Sequence, residues 1–446
     1  MKHKVVLCSL IIDPSRDEKE AIGGADGEQQ CVVVEGELIV FCGSRAECPA
    51  AYLGLESEVT DLGANSAVLP GFVDAHCHPF IVDSPSQSYQ VRHLLESGPY
   101  KTLCALKRVQ EYLSAGWTTV RIAGDAETGY GVLDLQRALA EGLFIGPRIQ
   151  AAAHYLSIVG GGGDLRTGPE QAGCLHPDGR IVTGPEEMRL AVREEIKYGS
   201  KWIKLLVSGA FMTAHDNPDD MHFSDEELRM ATSEASRLST PVMAHAHSVA
   251  SIAASLQAGV RSIEHGTFIA KDPRLAQQMA RQGVFLIPTL FIGDYYTRVR
   301  PSEIASTLTS SSSSSSSATA TVDPLAKMVE LSRQTRALHL QGVALAYRAG
   351  VQICTGSDDV GAWAPALSMR ELVILSEAGV TPIDCLRAAT VNGARLLSLE
   401  GKIGTLQPGA CADLIAVRGN PLEDLTLLET HLFFVMRGGV VVRRQA

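Results

Sequence analysis

From about residue 68 the chain repeats one theme eight times: a short β-prone run, with longer amphipathic segments between the runs. The runs are "SAVLPGFVDAHCH", "TTVRIAG", "PRIQAAAH", "WIKLLVS", "PVMAHAH", "SIEHG", "VFLIPTL" and "VQICTGSDD". Between them "MRLAVREEIKYG", "SDEELRMATSEASRLS" and "HSVASIAASLQAG" carry the apolar spacing of helices, and the first and third end in the glycine that commonly closes a helix. Eight such units over roughly 300 residues predict an α/β fold, a parallel (β/α)8 TIM barrel, with a doubly wound sheet of fewer strands as the alternative. In such a barrel catalytic residues stand at the C-terminal ends of the strands.

The two ends of the chain read differently. Residues 1–66 hold short β-prone runs such as "VVVEGELIVFCG", and residues 401–446 hold "GTLQPGACADLIAV" and "LFFVMRGGVVVRR". These are expected to pair into one small β-sandwich beside a barrel spanning 67–400. A chain of 446 residues that is 45% hydrophobic has material for both cores. The Ser-rich stretch 306–321, with its Ser310–Ser317 run, is expected to be a flexible surface loop.

A net charge of −11 without a basic block leaves no electrostatic footprint for nucleic acid or an anionic membrane. No apolar run approaches the roughly 18 residues of a membrane span. The opening "MKHKVVLCSLII" runs into "DPSRDEKE" without a small-residue cleavage site and reads as a first β-strand. The ten cysteines form no CxxC pair, which fits free thiols in a reducing compartment. A cytoplasmic homo-oligomer acting on a small-molecule substrate is the expectation.

In "GFVDAHCH" strand alternation puts Asp74, His76 and His78 on one face and Cys77 on the other, packed against a helix. An isolated HxH is a weak signal, more often a pair of hydrogen-bonded strand-end histidines than a metal site. His245 in "MAHAHS", His265 in "IEHG", Asp358 in "TGSDD" and Lys204 in "KWIKLLVSG" fall at further strand ends, and histidine with carboxylate is the ligand set that Zn²⁺ prefers. Lys204 has two readings: a strand-end lysine reaching for solvent, or a buried amine whose lowered pKa lets it add CO₂ and become an anionic carbamate.

Taken together, "PGFVDAHCH", the lysine on the fourth run, the histidines on the fifth and sixth and "TGSDD" on the eighth resemble the amidohydrolase superfamily in its binuclear form. The stretch "KWIKLLVSGAFMTAHDNPDDMHFSDEEL" with "AHAHS" and "IEHG" is similar to the branch of metal-dependent Xaa-Pro dipeptidases and ochratoxinase, often labelled imidazolonepropionase-related. The resemblance implies two divalent metal ions, with Zn²⁺ the first expectation and Mn²⁺, Fe²⁺ and Co²⁺ equally compatible with the ligands. It implies that His76 and His78 hold the more buried metal, that His245 and His265 hold the second, and that Lys204 bridges them as its carbamate. Asp358 is implied to be both ligand and catalytic proton shuttle, while Lys201 is read as a surface residue.

The implied reaction is hydrolysis of a carbon–nitrogen bond, an amide or peptide, by hydroxide bridging the two metals. The implied substrates are dipeptidase-like or carboxypeptidase-like, an N-acyl amino acid or an Xaa-Pro dipeptide. Lactone or cyclic-amide hydrolysis, decarboxylation and dehydration are the alternatives on the same metals. A metal-free scaffold is a third, disfavoured because every ligand position is filled. Where the branch carries a histidine in a Gly-Gly-His-Gly-Asp pattern, this chain has Gly162 in "VGGGGD", which leaves His247, Tyr130 and His154 as candidate substrate contacts.

Overall fold

The computed structural model describes residues 3–17, 20–24, 27–54, 56–81, 92, 95–124, 128–164, 179–213, 216–299 and 324–445. The Ser-rich stretch 306–321 and Cys174 lie outside the described residues. The nine described cysteines are free thiols. Among the described residues no helix is long and apolar enough to cross a membrane.

Two all-parallel sheets carry the ligand-type residues. One places Phe72–Cys77 beside Trp117–Ala123 beside Arg148–Ala152. The other runs Arg180–Ile181, Tyr155–Ser157, Ile203–Leu206, Val242–Ala246, Ser262–His265 and Phe285–Ile287 in spatial order. Between the sheets, the Lys201 amide donates to the Ala151 carbonyl at 2.8 Å. Except for Arg180–Ile181 and the first three residues of Arg148–Ala152, which are half-buried, these strands are buried along their length, with Phe72, Trp117 and Trp202 among the largest enclosed side chains. Each such side chain stabilises the fold by roughly 1.5–3 kcal/mol relative to its exposed state.

The eighth run is not a strand. Residues 351–359 make only isolated bridges, Leu286 to Ile353 on one side and Cys77 to Asp359 on the other. The hydrogen bonds Cys354 N to Leu286 O (2.9 Å) and Ala75 N to Thr355 O (2.9 Å) tie the segment between Phe285–Ile287 and Phe72–Cys77. The segment passes close to both neighbours, an approach that only glycine at 356 permits. A Cβ at Gly356 would lie 2.4 Å from an Ile287 methyl and 2.7 Å from the His76 Cβ, and Asp358 is bent to φ +50°. The first run also divides: Ser66–Pro70 pairs with Leu414–Arg418, and only Phe72–Cys77 joins the parallel strands.

Helices return the chain between strands much as their spacing predicts. Gly184–Tyr198, Asp225–Arg237 and Val249–Ala258 match the three quoted segments. Ser224 and Glu227 close a capping box on the second, which is worth about 1 kcal/mol. Gly199 and Gly259 end the other two in the left-handed conformation that glycine adopts without strain.

Two further sheets draw on both chain ends. The four-stranded one orders Leu38–Ser44, Gln30–Glu35, Lys4–Cys8 and Glu58–Asp61. The six-stranded one orders Val440–Arg444, Leu432–Arg437, Leu414–Arg418, Ser66–Pro70, Leu10–Ile12 and Ile22–Gly23. Val6, Val32 and Ile39 from the first share an apolar cluster with Val68, Leu414 and Phe434 from the second.

Candidate metal centre

His76 and His78 project from the end of Phe72–Cys77 with their Nε2 atoms 3.3 Å apart, and Asp358 Oδ1 lies 3.4 Å and 3.3 Å from them. The opposite ring nitrogens are engaged: His76 Nδ1 donates to Glu264 Oε2 at 2.7 Å, and His78 Nδ1 to the Gly124 carbonyl at 2.7 Å. With the proton on Nδ1, each imidazole offers a lone pair at Nε2 toward the site. Asp358 is held in place through its own amide, which donates to the His76 carbonyl at 2.7 Å.

Across the site the ring nitrogens of His245, His247 and His265 lie within 4.8 Å of one another, and His265 is equally close to His76 and Asp358. His265 sits at φ +70°, a bend that a β-branched residue would resist, with Nδ1 bound to Thr289 Oγ1 at 2.7 Å. His247 Nδ1 is bound to Thr267 Oγ1 at 2.8 Å, and its ring stacks on Phe211. Burial, followed by the neighbouring imidazoles, depresses His245 and His265 strongly. It takes His247 to about 3, with His339 the next contributor. All three are therefore neutral, the form that ligates a cation. His247 belongs to this cluster as fully as His245 does.

Lys204 lies between the two groups. It is the second residue of Ile203–Leu206, deeper in the strand than its neighbours' ligands, and its longer side chain brings the amine to the cavity they line. The side chain is buried and, among the described residues, Nζ has no hydrogen-bond partner. Burial, helped by Arg121 and opposed by Glu264 and Asp358, brings its pKa down to about 8. An orphaned buried amine costs free energy unless something else satisfies it. Surrounded by imidazoles and a carboxylate, it fits a centre built for divalent cations. Lys201, in contrast, is exposed.

Several residues that build this geometry have roles that the sequence reading did not assign. Asp74 accepts from the amides of His76 (3.0 Å) and Ser357 (3.1 Å) and from the Ser357 hydroxyl (2.6 Å), fastening the segment that carries Asp358 to the HxH strand. Asp359, beside the candidate ligand, faces away and accepts from Arg108 Nε (3.1 Å) and the Tyr112 hydroxyl (2.6 Å). Arg121 and Glu264, both fully buried, form an ion pair below His76. Burial works against the Glu264 charge, but Arg121 and His76 hold its carboxyl below the ordinary range. The available signal was a charged residue inside each of the runs "TTVRIAG" and "SIEHG", where an apolar one was the expectation.

The six candidate ligands line a single cavity of about 160 Å³, whose other walls include Leu206, Phe211, Met212, Ile292 and Met328. His247 and Gly162 also line it. Among the described residues the lining includes neither Tyr130 nor His154. Their polar atoms turn instead to Glu195, His154 Nδ1 at 2.8 Å and the Tyr130 hydroxyl at 3.3 Å, and Tyr130 stacks on Tyr198. Tyr155, next along the chain from His154, takes the place on the wall.

The sequence profile of the Amidohydrolase family matches residues 67–443. Ochratoxinase of Aspergillus niger is 29% identical over 437 residues, which cover 93% of this chain and 83% of that one. Imidazolonepropionase of Pseudomonas fluorescens is 24% identical over 437 residues, covering 89% and 90%. A prolidase solved with N-methylphosphonate-L-proline superposes over 100% of both chains with a TM-score of 0.82 at 28% identity. A Xaa-Pro dipeptidase solved with bound methionine gives 0.82 at 26% identity over 99% of this chain and 100% of the other. The family match extends over well more than half of the chain, from residue 67 to residue 443, and the chain belongs to the amidohydrolase family.

Proposed function

We propose that this chain is a binuclear metal-dependent hydrolase of amide bonds, acting on N-acyl amino acids or Xaa-Pro dipeptides. In this reading the parallel strands and the 351–359 segment make a (β/α)8 barrel over 67–400, and residues 1–66 and 401–446 make a β-sandwich beside it. The observation that carries the reading is the buried Lys204 amine, which has no hydrogen-bond partner among the described residues and lines the same cavity as His76, His78, His245, His265 and Asp358. His76, His78 and Asp358 would hold one cation, His245 and His265 the other, with the Lys204 carbamate between and His247 within reach. Divalent cations so held acidify water and polarise a carbonyl, which makes an amide open to attack at neutral pH.

The chain's own side chains do the rest. Asp358, a carboxylate at neutral pH, is the acceptor for the proton of the attacking water and hands it to the leaving nitrogen, which an amide needs because its anion is a poor leaving group. Leu206, Phe211, Met212, Ile292 and Met328 give the substrate an apolar chamber, which strengthens each polar contact inside it.

The test is a metal-replete screen of N-acyl amino acids and Xaa-Pro dipeptides with mass-spectrometric detection, in which hydrolysis of at least one class is expected. Protein that ignores both and opens lactones or cyclic amides overturns the substrate assignment.

Gly162 tunes the choice within that class. A Cβ there would stand 3.3 Å from the Ala210 methyl and from Asp216 Oδ2, so a side chain at 162 has to push the wall formed by residues 210–213. Gly162→His is expected to change the ratio of kcat/KM between N-acyl amino acids and Xaa-Pro dipeptides by about tenfold or more. An unchanged ratio would show that position 162 has no part in specificity.

A further inference from the structure

Arg121 and Glu264 come from strands far apart in sequence and meet beneath His76 with no access to solvent. Arg121 Nη2 donates to both Glu264 oxygens at 2.8 Å, Nη1 to Ser262 Oγ at 3.1 Å, and Nε to the carbonyl of Ala75, the residue before His76, at 2.6 Å. The Ser262 hydroxyl donates in turn to Glu264 Oε1 at 2.6 Å, and the guanidinium lies over the Trp202 ring at 4.5 Å. Oε1 is thus occupied by arginine and serine, and Oε2 by arginine and His76 Nδ1.

We infer that Arg121 and Glu264 are positioning residues for His76: the guanidinium fixes the carboxylate, and the carboxylate holds the imidazole proton on Nδ1 so that Nε2 keeps its lone pair toward Asp358 and His78. An ion pair taken wholly out of water is a poor device for stability alone, since apolar residues of like volume often serve as well. Its placement gives it this directional task. The inference rests on the metal-centre reading above.

Glu264→Gln separates the task from mere packing, because the amide is isosteric but carries one acceptor and one donor. Arg121 Nη2 donates to both oxygen positions, but Arg121 Nη1 donates to Ser262 Oγ and so leaves the Ser262 hydroxyl to donate to the Oε1 position; the amide oxygen therefore stays there and the NH₂ group faces His76. That forces the ring to accept at Nδ1 and moves its proton to Nε2, the nitrogen that must be bare. Replacing Arg121 by methionine as well frees the amide to turn its oxygen to His76 and restore the original tautomer.

The experiment titrates whole apo-protein with Co²⁺ against a competing chelator and records the visible absorption of the bound ion. Glu264→Gln, folded by circular dichroism, is expected to bind at the His76/His78 position at least about tenfold more weakly with an altered spectrum. Arg121→Met/Glu264→Gln is expected to recover most of that loss, whereas a purely structural role predicts that the second change adds damage. Wild-type affinity and spectrum in Glu264→Gln, or a double variant no tighter than the single one, overturns the inference. Should Glu264→Gln not fold, the same comparison is made between Arg121→Met/Glu264→Gln and Arg121→Met/Glu264→Met, both free of buried charge. The first, which keeps an acceptor for His76, is expected to bind about tenfold tighter, and equal affinities overturn the inference. Wild-type protein that binds no Co²⁺ fails at the metal-centre reading itself, before any variant is compared.

Discussion

Lys204→Ala is expected to leave a folded protein that purifies with little metal and turns over substrate at least about 10²-fold more slowly. The fold should survive, because the deleted amine has no hydrogen-bond partner among the described residues and its removal relieves a buried polar group. Lys204→Met, which keeps most of the volume, separates that gain from the cavity that alanine leaves. The metal should not survive. Without a carbamate, the cluster of His76, His78, His245, His265 and Asp358 contains a single anionic ligand for two dications. A short carboxylic acid such as acetate or propionate fits the space vacated in Lys204→Ala and supplies the missing charge, so partial recovery of metal content and activity with added acid is expected. Elemental analysis of the purified variants is the deciding measurement. Metal content equal to wild type in Lys204→Ala would remove the bridging role.

Asp358→Asn and Asp359→Asn are expected to fail in opposite ways, although the residues are adjacent. Asp358 faces the imidazole cluster, and its replacement keeps the shape while removing the proton acceptor, so kcat should fall by about 10²-fold or more with little change in melting temperature. Asp359 is fully buried on the other side, where Arg108 and Tyr112 donate to it. Its replacement leaves Arg108 short of its counter-charge, a loss on the order of 3 kcal/mol that should appear as a lowered melting temperature. Thermal melts and steady-state kinetics on both variants decide the matter. If Asp359→Asn retains its melting temperature and loses turnover while Asp358→Asn does the reverse, the roles are assigned to the wrong residue.

That pair also marks how far sequence reasoning reaches. "TGSDD" flags two candidate carboxylates, and the resemblance chooses the first, but nothing local in the string tells which of two neighbours faces the cavity. The choice is made by a backbone bend at φ +50° and by a glycine at 356 that lets the segment pass close to Ile287 and His76. Strand parity misleads for the same reason. It puts Asp74 beside His76 and His78 as a third inward group, whereas the Asp74 carboxylate is spent on the Ser357 hydroxyl and on two backbone amides. Tyr130 and His154 were legible as candidates from their places in the string, yet each finds Glu195 first.

What the sequence by itself determined is the set of local properties: the alternation of β-prone runs and amphipathic helices, the glycine and serine caps, and the residue types brought to the strand ends, His76, His78, Lys204, His245, His265 and Asp358. These follow from periodicity and short-range chemistry, which a linear string records directly. Only the tertiary structure decided that Lys204 is an amine without a partner among the described residues, that His247 stands with His245 and His265, and that Glu264 holds a histidine 188 residues away. The reason is that each of these depends on which groups the fold leaves unsatisfied or brings within about 3 Å of one another. Hydrogen-bond partners so far apart in the chain are chosen by the packing of whole strands, not by the residues on either side.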